Sequence, residues 1–310
     1  MTSPGPRHLS VDLDGPVHYV DFGGEGRPLV LVHGLGGSHV NWLSVAPALT
    51  AHGRVLALDL VGHGHTRSLG RSARVGASRR LIARFIDAVA GEPAVLVGNS
   101  MGGYISVAVA AAEPAKVAGL VLVSAALPLA RGHAVDRTVM ALFASMTTPL
   151  LGELVMLVRG SRGPERLVFD MLRLCCVDAG LISPVVFDAH LALAREREHE
   201  RRRNARDFLR AQRSLMLALL LRRRFFRMVA TVKAPALILQ GDHDRLVQVA
   251  AARALAAARP DWRLEVIENV GHVPQLEAPA RFLAVVEPWL EGLKARSSAP
   301  PPPPPAPARP

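Results

Sequence analysis

The chain has 310 residues, 50% hydrophobic and 20% charged, with 37 Lys and Arg against 26 Asp and Glu, a formal net charge of +11. That apolar content excludes a disordered or collagen-like polymer, and the length suffices for one large domain or two modest ones. Two cysteines, adjacent at Cys175 and Cys176, exclude a disulfide scaffold and a cysteine-based zinc site; they read as buried reduced thiols of a cytoplasmic protein.

The N-terminus, Met1 to Leu9, is polar and contains proline, so no secretory signal is expected. Alternation in Ser10 to Leu13 and in Val17 to Val20, around Asp14-Gly15-Pro16, predicts a hairpin. Continuous apolar runs then recur at Leu29 to Val32, Val55 to Leu58, Ala94 to Val97, Gly119 to Val123, Ala236 to Leu239 and Leu264 to Ile267. Runs without alternation indicate strands covered on both faces, as in a parallel sheet between helices. Helix formers fill Arg79 to Ala90 and Tyr104 to Ala112, and Glu113-Pro114 ends the second. The fold class is α/β, with a mostly parallel central sheet flanked by helices.

About 105 residues without a strand signal separate Ser124 from Ala236, too many for a structureless loop. Helical patterns at Val185 to Arg197 and Phe208 to Leu221 predict a helical insertion after the sixth strand. This gives a core of residues 1–125 and 231–296, an insertion of 126–230, and a proline-rich, disordered tail of 297–310. The apolar stretch Val139 to Val158 is interrupted by Pro149, Gly152 and Glu153, which favours a buried or partner-facing helix over a membrane span. The insertion holds 18 arginines, no lysine and 10 acids, so most of the net charge lies there. Glu196, Glu198 and Glu200 alternate with arginines, which points to a solvated face laced by ion pairs. Docking of Arg201 to Arg203 and Arg222 to Arg224 on anionic lipid is the lesser reading. With aromatics at 5%, no nucleic-acid partner is expected.

Chemistry concentrates in four places. Gly98-Asn99-Ser100-Met101-Gly102 fits G-x-S-x-G, between a strand and a helix, where the turn projects a serine from the strand end. A serine hydroxyl needs a base to take its proton, and His272, in the loop after the last strand, has the right chain position. The acid that orients it belongs on Gly241 to Arg245, where Asp244 is preferred and Asp242 is the alternative. His33-Gly34-Leu35-Gly36-Gly37 follows the third strand, so the Leu35 and Met101 N–H groups are candidates for an oxyanion hole. Leu127, Leu129, Met140, Leu142 and Phe143 are candidates for an apolar substrate pocket. His63, His65 and Asp59 lack a third well-placed partner, and are read as loop structure with no metal.

In order along the chain, these motifs, with Asp59 to Thr66 and Gly271-His272 through Pro279, resemble the α/β-hydrolase fold in its lid-bearing group, over residues 22 to 292. The resemblance implies catalysis without a cofactor, a lid in the 126–230 insertion, and the acid at Asp244. Relatives that open epoxides or remove halide carry aspartate at the elbow, so Ser100 argues against both. The elbow is similar to those of esterases and of hydrolases that cleave carbon–carbon bonds in ring-fission products. The latter usually carry Trp after the catalytic histidine, where Val273 stands here. The expected activity is hydrolysis of a small carboxylic ester with an apolar portion. Carbon–carbon, thioester or amide cleavage is the runner-up, and a noncatalytic binding protein the outside reading.

Overall fold

A computed structural model describes residues 5–130, 132 and 136–298. The strands are β1 (Arg7–Asp12), β2 (Pro16–Gly23), β3 (Leu29–Val32), β4 (Val55–Leu58), β5 (Ala94–Asn99), β6 (Val117–Val123), β7 (Ala236–Gly241) and β8 (Arg263–Ile267). They form one sheet in the order β1-β2-β4-β3-β5-β6-β7-β8. The β1–β2 and β2–β4 pairs are antiparallel and the rest parallel. The helices are α1 (Ala46–Leu49), α2 (Val75–Phe85), α3 (Met101–Ala112), α4 (Arg137–Thr147), α5 (Leu151–Gly160), α6 (Gly163–Cys175), α7 (Pro184–Glu196), α8 (Arg201–Leu220), α9 (Arg222–Thr231), α10 (Val249–Ala258), α11 (Pro274–Glu277) and α12 (Pro279–Ser298).

The apolar strands are buried because successive side chains leave on opposite faces and both faces are covered. Val30, Leu96, Leu120 and Ile238 face a core shared with α2, α3 and α10. Their neighbours Leu29, Val95, Val121 and Leu237 face a second core closed by α1 and α12. Helices α4 to α9 all lie between β6 and β7, where the strand signal lapses. Part of this insertion (Val168, Leu172 and Val186) packs with Val273 and Leu276 in a third cluster.

One expectation needs correction. The stretch Val139 to Val158, expected as one buried or partner-facing helix, is two: α4 and α5 meet at 111°, and Leu150, Leu154, Leu157 and Val158 are exposed rather than buried. Pro149 has no N–H to continue α4, and Leu150 takes φ +66° before α5 starts. No single helix among the described residues is long and apolar enough to cross a membrane. Ser297 and Ser298, read as the start of a disordered tail over 297–310, belong instead to α12, which runs on through Ser298; Ala299 to Pro310 lies outside the described residues.

Candidate active site

The elbow is built by β5 running directly into α3. Ser100 sits between them at φ +51° and ψ −118°, backbone that a serine adopts only under constraint, at a cost of about 1–3 kcal/mol. The constraint is visible: Ser100 N–H donates to the Val123 carbonyl at 3.0 Å, and the Ser100 carbonyl accepts from Ala126 N–H at 2.9 Å. A Cβ at Gly98 would strike the Gly102 backbone, and one at Gly102 would strike the Val32 carbonyl. Those two glycines let strand and helix approach this closely. Met101 opens α3, so its N–H is one of the first-turn donors with no acceptor inside the helix.

Histidine and acid arrive from the two strands beyond. His272 Nδ1 lies 2.8 Å from Asp244 Oδ2, and both side chains are almost wholly buried. Asp244 is fixed in turn: its Oδ1 accepts from Leu246 N–H at 2.8 Å and Val247 N–H at 2.9 Å, and its Oδ2 from Gln240 Nε2 at 2.8 Å. Asp242 turns away to His243 Nδ1 at 2.7 Å, so of the two acids left open it is Asp244 that meets the imidazole. The Asn99 side chain, next to Ser100, donates to the His272 carbonyl at 3.1 Å.

The loop after β3 passes over the elbow. A Cβ at Gly34 would lie 3.1 Å from Ser100 Cβ and 3.1 Å from Asn99 Oδ1, which puts the Leu35 segment beside the serine. His33 braces this loop, with Nδ1 at 2.7 Å from the Gly34 carbonyl and Nε2 accepting from Leu60 N–H at 3.0 Å. Burial lowers the His33 pKa, consistent with a neutral ring that donates at one nitrogen and accepts at the other.

Sequence reasoning missed the insertion's share in this site. His272 N–H donates to the Cys175 carbonyl, at the end of α6, at 2.6 Å. Glu277 is buried and accepts from Gly271 N–H at 2.7 Å, Val177 N–H at 2.7 Å and Asp178 N–H at 2.9 Å. Helix α8 lies against the glycine loops, with the Phe208 ring at Gly36 and Asp207 at Gly62. The expected pocket residues are scattered. Leu127 is in the main core, Leu129 and Met140 are exposed, and Leu142 and Phe143 are half-buried on α4. Burial pushes the Cys175 thiol up to about 12, with Asp244 and Glu277 adding to the effect, so it is no nucleophile at neutral pH.

The residues read as loop structure divide. His63 turns to the Val61 carbonyl at 3.1 Å, whereas His65 and Asp59 meet three histidines from distant segments, His8, His18 and His39. The third partner missing along the sequence is supplied by the fold.

A family model described as the alpha/beta hydrolase family matches residues 29–285. The chain belongs to the alpha/beta hydrolase family. This hydrolase is 30% identical over 282 residues to the dihydrolipoyllysine-residue acetyltransferase component of an acetoin cleaving system from Pseudomonas putida, covering 88% of this chain. It spans 66% of the length of that relative. A 2-hydroxy-6-oxononadienedioate/2-hydroxy-6-oxononatrienedioate hydrolase from the same organism is 27% identical over 287 residues, 90% of this chain and 93% of that protein. A solved membrane phospholipase A, described as a bacterial virulence factor, superposes with a TM-score of 0.70 at 29% identity, covering 94% of this chain and 87% of that one.

Proposed function

We propose that this hydrolase cleaves carboxylic esters through an acyl-enzyme formed on Ser100. The observation that carries the reading is the buried 2.8 Å contact of His272 with Asp244, tied through Asn99 to a serine held at positive φ. Ser100 Oγ attacks the ester carbonyl as His272 Nε2 takes its proton, and Asp244 holds the tautomer and steadies the imidazolium. The Leu35 and Met101 N–H groups donate to the developing oxyanion, each worth about 10²–10³ in rate. His272 returns the proton to the departing alcohol, and water then releases the acid by the same steps in reverse. Every group in this scheme is a residue of the chain, so the reaction needs no cofactor.

The insertion, residues 126–230, acts in this reading as a lid over the core formed by 1–125 and 231–296. Support comes from the contacts of Phe208 with the Leu35 loop and of Cys175 with His272. Its arginines pair with acids, as in Arg195–Glu165, Arg201–Glu198 and Arg213–Glu153, which favours a solvated face over lipid docking. A small molecule is then the partner, and two unpaired cysteines suit the reducing cytoplasm.

The likeness to a phospholipase supports an ester, and the likeness to a ring-fission-product hydrolase supports carbon–carbon cleavage as the second reading. A chain-length series of p-nitrophenyl acylates, run beside a ring-fission dienoate, separates them. Turnover of the acylates with loss of fluorophosphonate labelling in Ser100→Ala is the expected result. Faster turnover of the dienoate overturns the ester assignment, and full acylate hydrolysis by Ser100→Ala overturns the nucleophile.

A further inference from the structure

The hairpin, the loop after β3 and the loop after β4 together build a cluster of imidazoles that the hydrolytic scheme does not use. In the β1–β2 register Ser10 pairs with His18, so His8 lies diagonally across from His18 on the same face of the ribbon. His18 N–H donates to Thr66 Oγ1 at 2.9 Å, and Asp59 N–H to the His18 carbonyl at 2.9 Å, so the β4 loop is fastened to that face. The loop wraps the Asp59 carboxylate so tightly that a Cβ at Gly64, which sits at φ +51°, would overlap it. His39 N–H and His65 N–H donate to the two Asp59 oxygens at 2.7 and 2.8 Å. These contacts set five side chains from four segments around one point.

The pairing of ring nitrogens is selective. Asp59 accepts from Nδ1 of His39 at 3.0 Å and from Nδ1 of His18 at 2.8 Å. His18 Nε2 is in turn 3.0 Å from His8 Nδ1, and His65 Nδ1 is 3.3 Å from Glu196 Oε1. Both nitrogens of His18 are therefore committed. For His8, His39 and His65 the Nδ1 is partnered, which leaves each Nε2 with a lone pair to give. One nitrogen from each of these three rings lies within 4.8 Å of the other two. Tetrahedral coordination at about 2.0–2.1 Å per bond asks for a closer approach, within reach of side-chain rotation for the solvent-exposed His8 and His65. Histidine ligands in metal sites commonly hand their second nitrogen to a carboxylate or similar acceptor, the role taken here by Asp59, by His18 and by Glu196.

We propose that His8, His39 and His65 form a site for a divalent transition-metal ion of the zinc type, with His18 and Asp59 as positioning residues and the fourth position open to water. Three imidazoles and no hard oxygen ligand favour Zn²⁺, Co²⁺, Ni²⁺ or Cu²⁺ over Mg²⁺ and Ca²⁺. The bound ion staples the N-terminal hairpin to the loops after β3 and β4. It is separate from Ser100, His272 and Asp244, so the site stands or falls independently of the hydrolytic reading.

The test uses the full-length chain after chelator dialysis, titrated with Zn²⁺ by calorimetry and with Co²⁺ followed by its visible absorption. One ion per chain is expected, with a Tm that rises on adding Zn²⁺ and no competition from excess Mg²⁺. His8→Gln and His65→Gln, at surface positions that spare the core, each weaken binding at least about tenfold, and His199→Gln, on the exposed insertion, leaves it unchanged. In imidazole nitrogen NMR, Zn²⁺ shifts Nε2 of His8, His39 and His65 and leaves His272 in place. Absence of stoichiometric uptake by the parent chain overturns the proposal. So does uptake that survives both substitutions, or a Zn²⁺ shift confined to His33, His63 or His272.

Discussion

The side-chain amide of Asn99 donates at 3.1 Å to the main-chain carbonyl of His272, across 173 residues of sequence. Its second acceptor is the Val123 carbonyl, also at 3.1 Å, so one amide laces the elbow to the next strand and to the histidine loop. Asn99→Leu keeps the volume and strands the buried His272 carbonyl at a cost of about 1–3 kcal/mol, while the Val123 carbonyl keeps the Ser100 N–H. The expected outcome is a lower urea midpoint, together with a kcat reduced by at least about tenfold and a KM little changed. Unaltered kcat in a folded Asn99→Leu would mean that His272 is held by other contacts.

The two acids of the Gly241 loop should behave differently. Asp244→Asn presents the wrong hydrogen-bonding partner to His272 Nδ1, and kcat should fall by about 10⁴ with the fold retained. Asp242→Asn keeps an acceptor oxygen for His243, away from His272, and should stay within about tenfold of the parent. Steady-state kinetics on one activated ester, with both variants checked by circular dichroism, makes the comparison.

Glu277 joins insertion to core through three main-chain donors, and its carboxylate is buried. Glu277→Ala leaves those donors unpaired, and a loss of about 3 kcal/mol or more is expected in urea unfolding. Glu277→Gln keeps an acceptor oxygen and should recover part of that loss.

Cys175 reaches His272 through its carbonyl rather than its thiol. Cys175→Ala should therefore hydrolyse an activated ester as fast as the parent does, and thiol-alkylating reagents should leave the folded chain uninhibited. Stoichiometric alkylation of the native protein with parallel inactivation would contradict this.

His190, on α7, is buried, and its Nε2 has no hydrogen-bond partner. Burial, with a small contribution from His39, lowers its pKa to about 4 from 6.5. The unfolded chain thus takes up this proton first as pH falls. Stability is complete above about pH 6.5 and drains away toward pH 4, by about 2 kcal/mol at pH 5. His190→Met removes the titrating group, so its Tm should fall less between pH 7 and pH 5 than that of the parent.

Local signals carried much of the architecture. Continuous apolar runs mark β3 and β4 to the residue, because a strand sandwiched between two helical layers must be apolar at every position. The elbow was legible because its glycines and serine fall in a five-residue pattern at a strand-to-helix turn, where a Cβ at Gly98 would strike the backbone of Gly102. Cys175, Glu277 and Phe208 left no such trace. Their contacts join segments about a hundred residues apart or more, and one buried carboxylate or carbonyl imposes no period on its neighbours.

By itself the amino-acid order determined the alternation of strands and helices, the sharp turn at Ser100 and the place where a helical insertion interrupts the sheet, since each follows from short-range sterics and apolar spacing. Only the folded chain decided that Asp244 rather than Asp242 meets His272, and that His8 and His18 come to face His39 and His65. Directional bonds between distant segments exist only once the sheet register and the loop paths have brought their atoms to within about 3 Å.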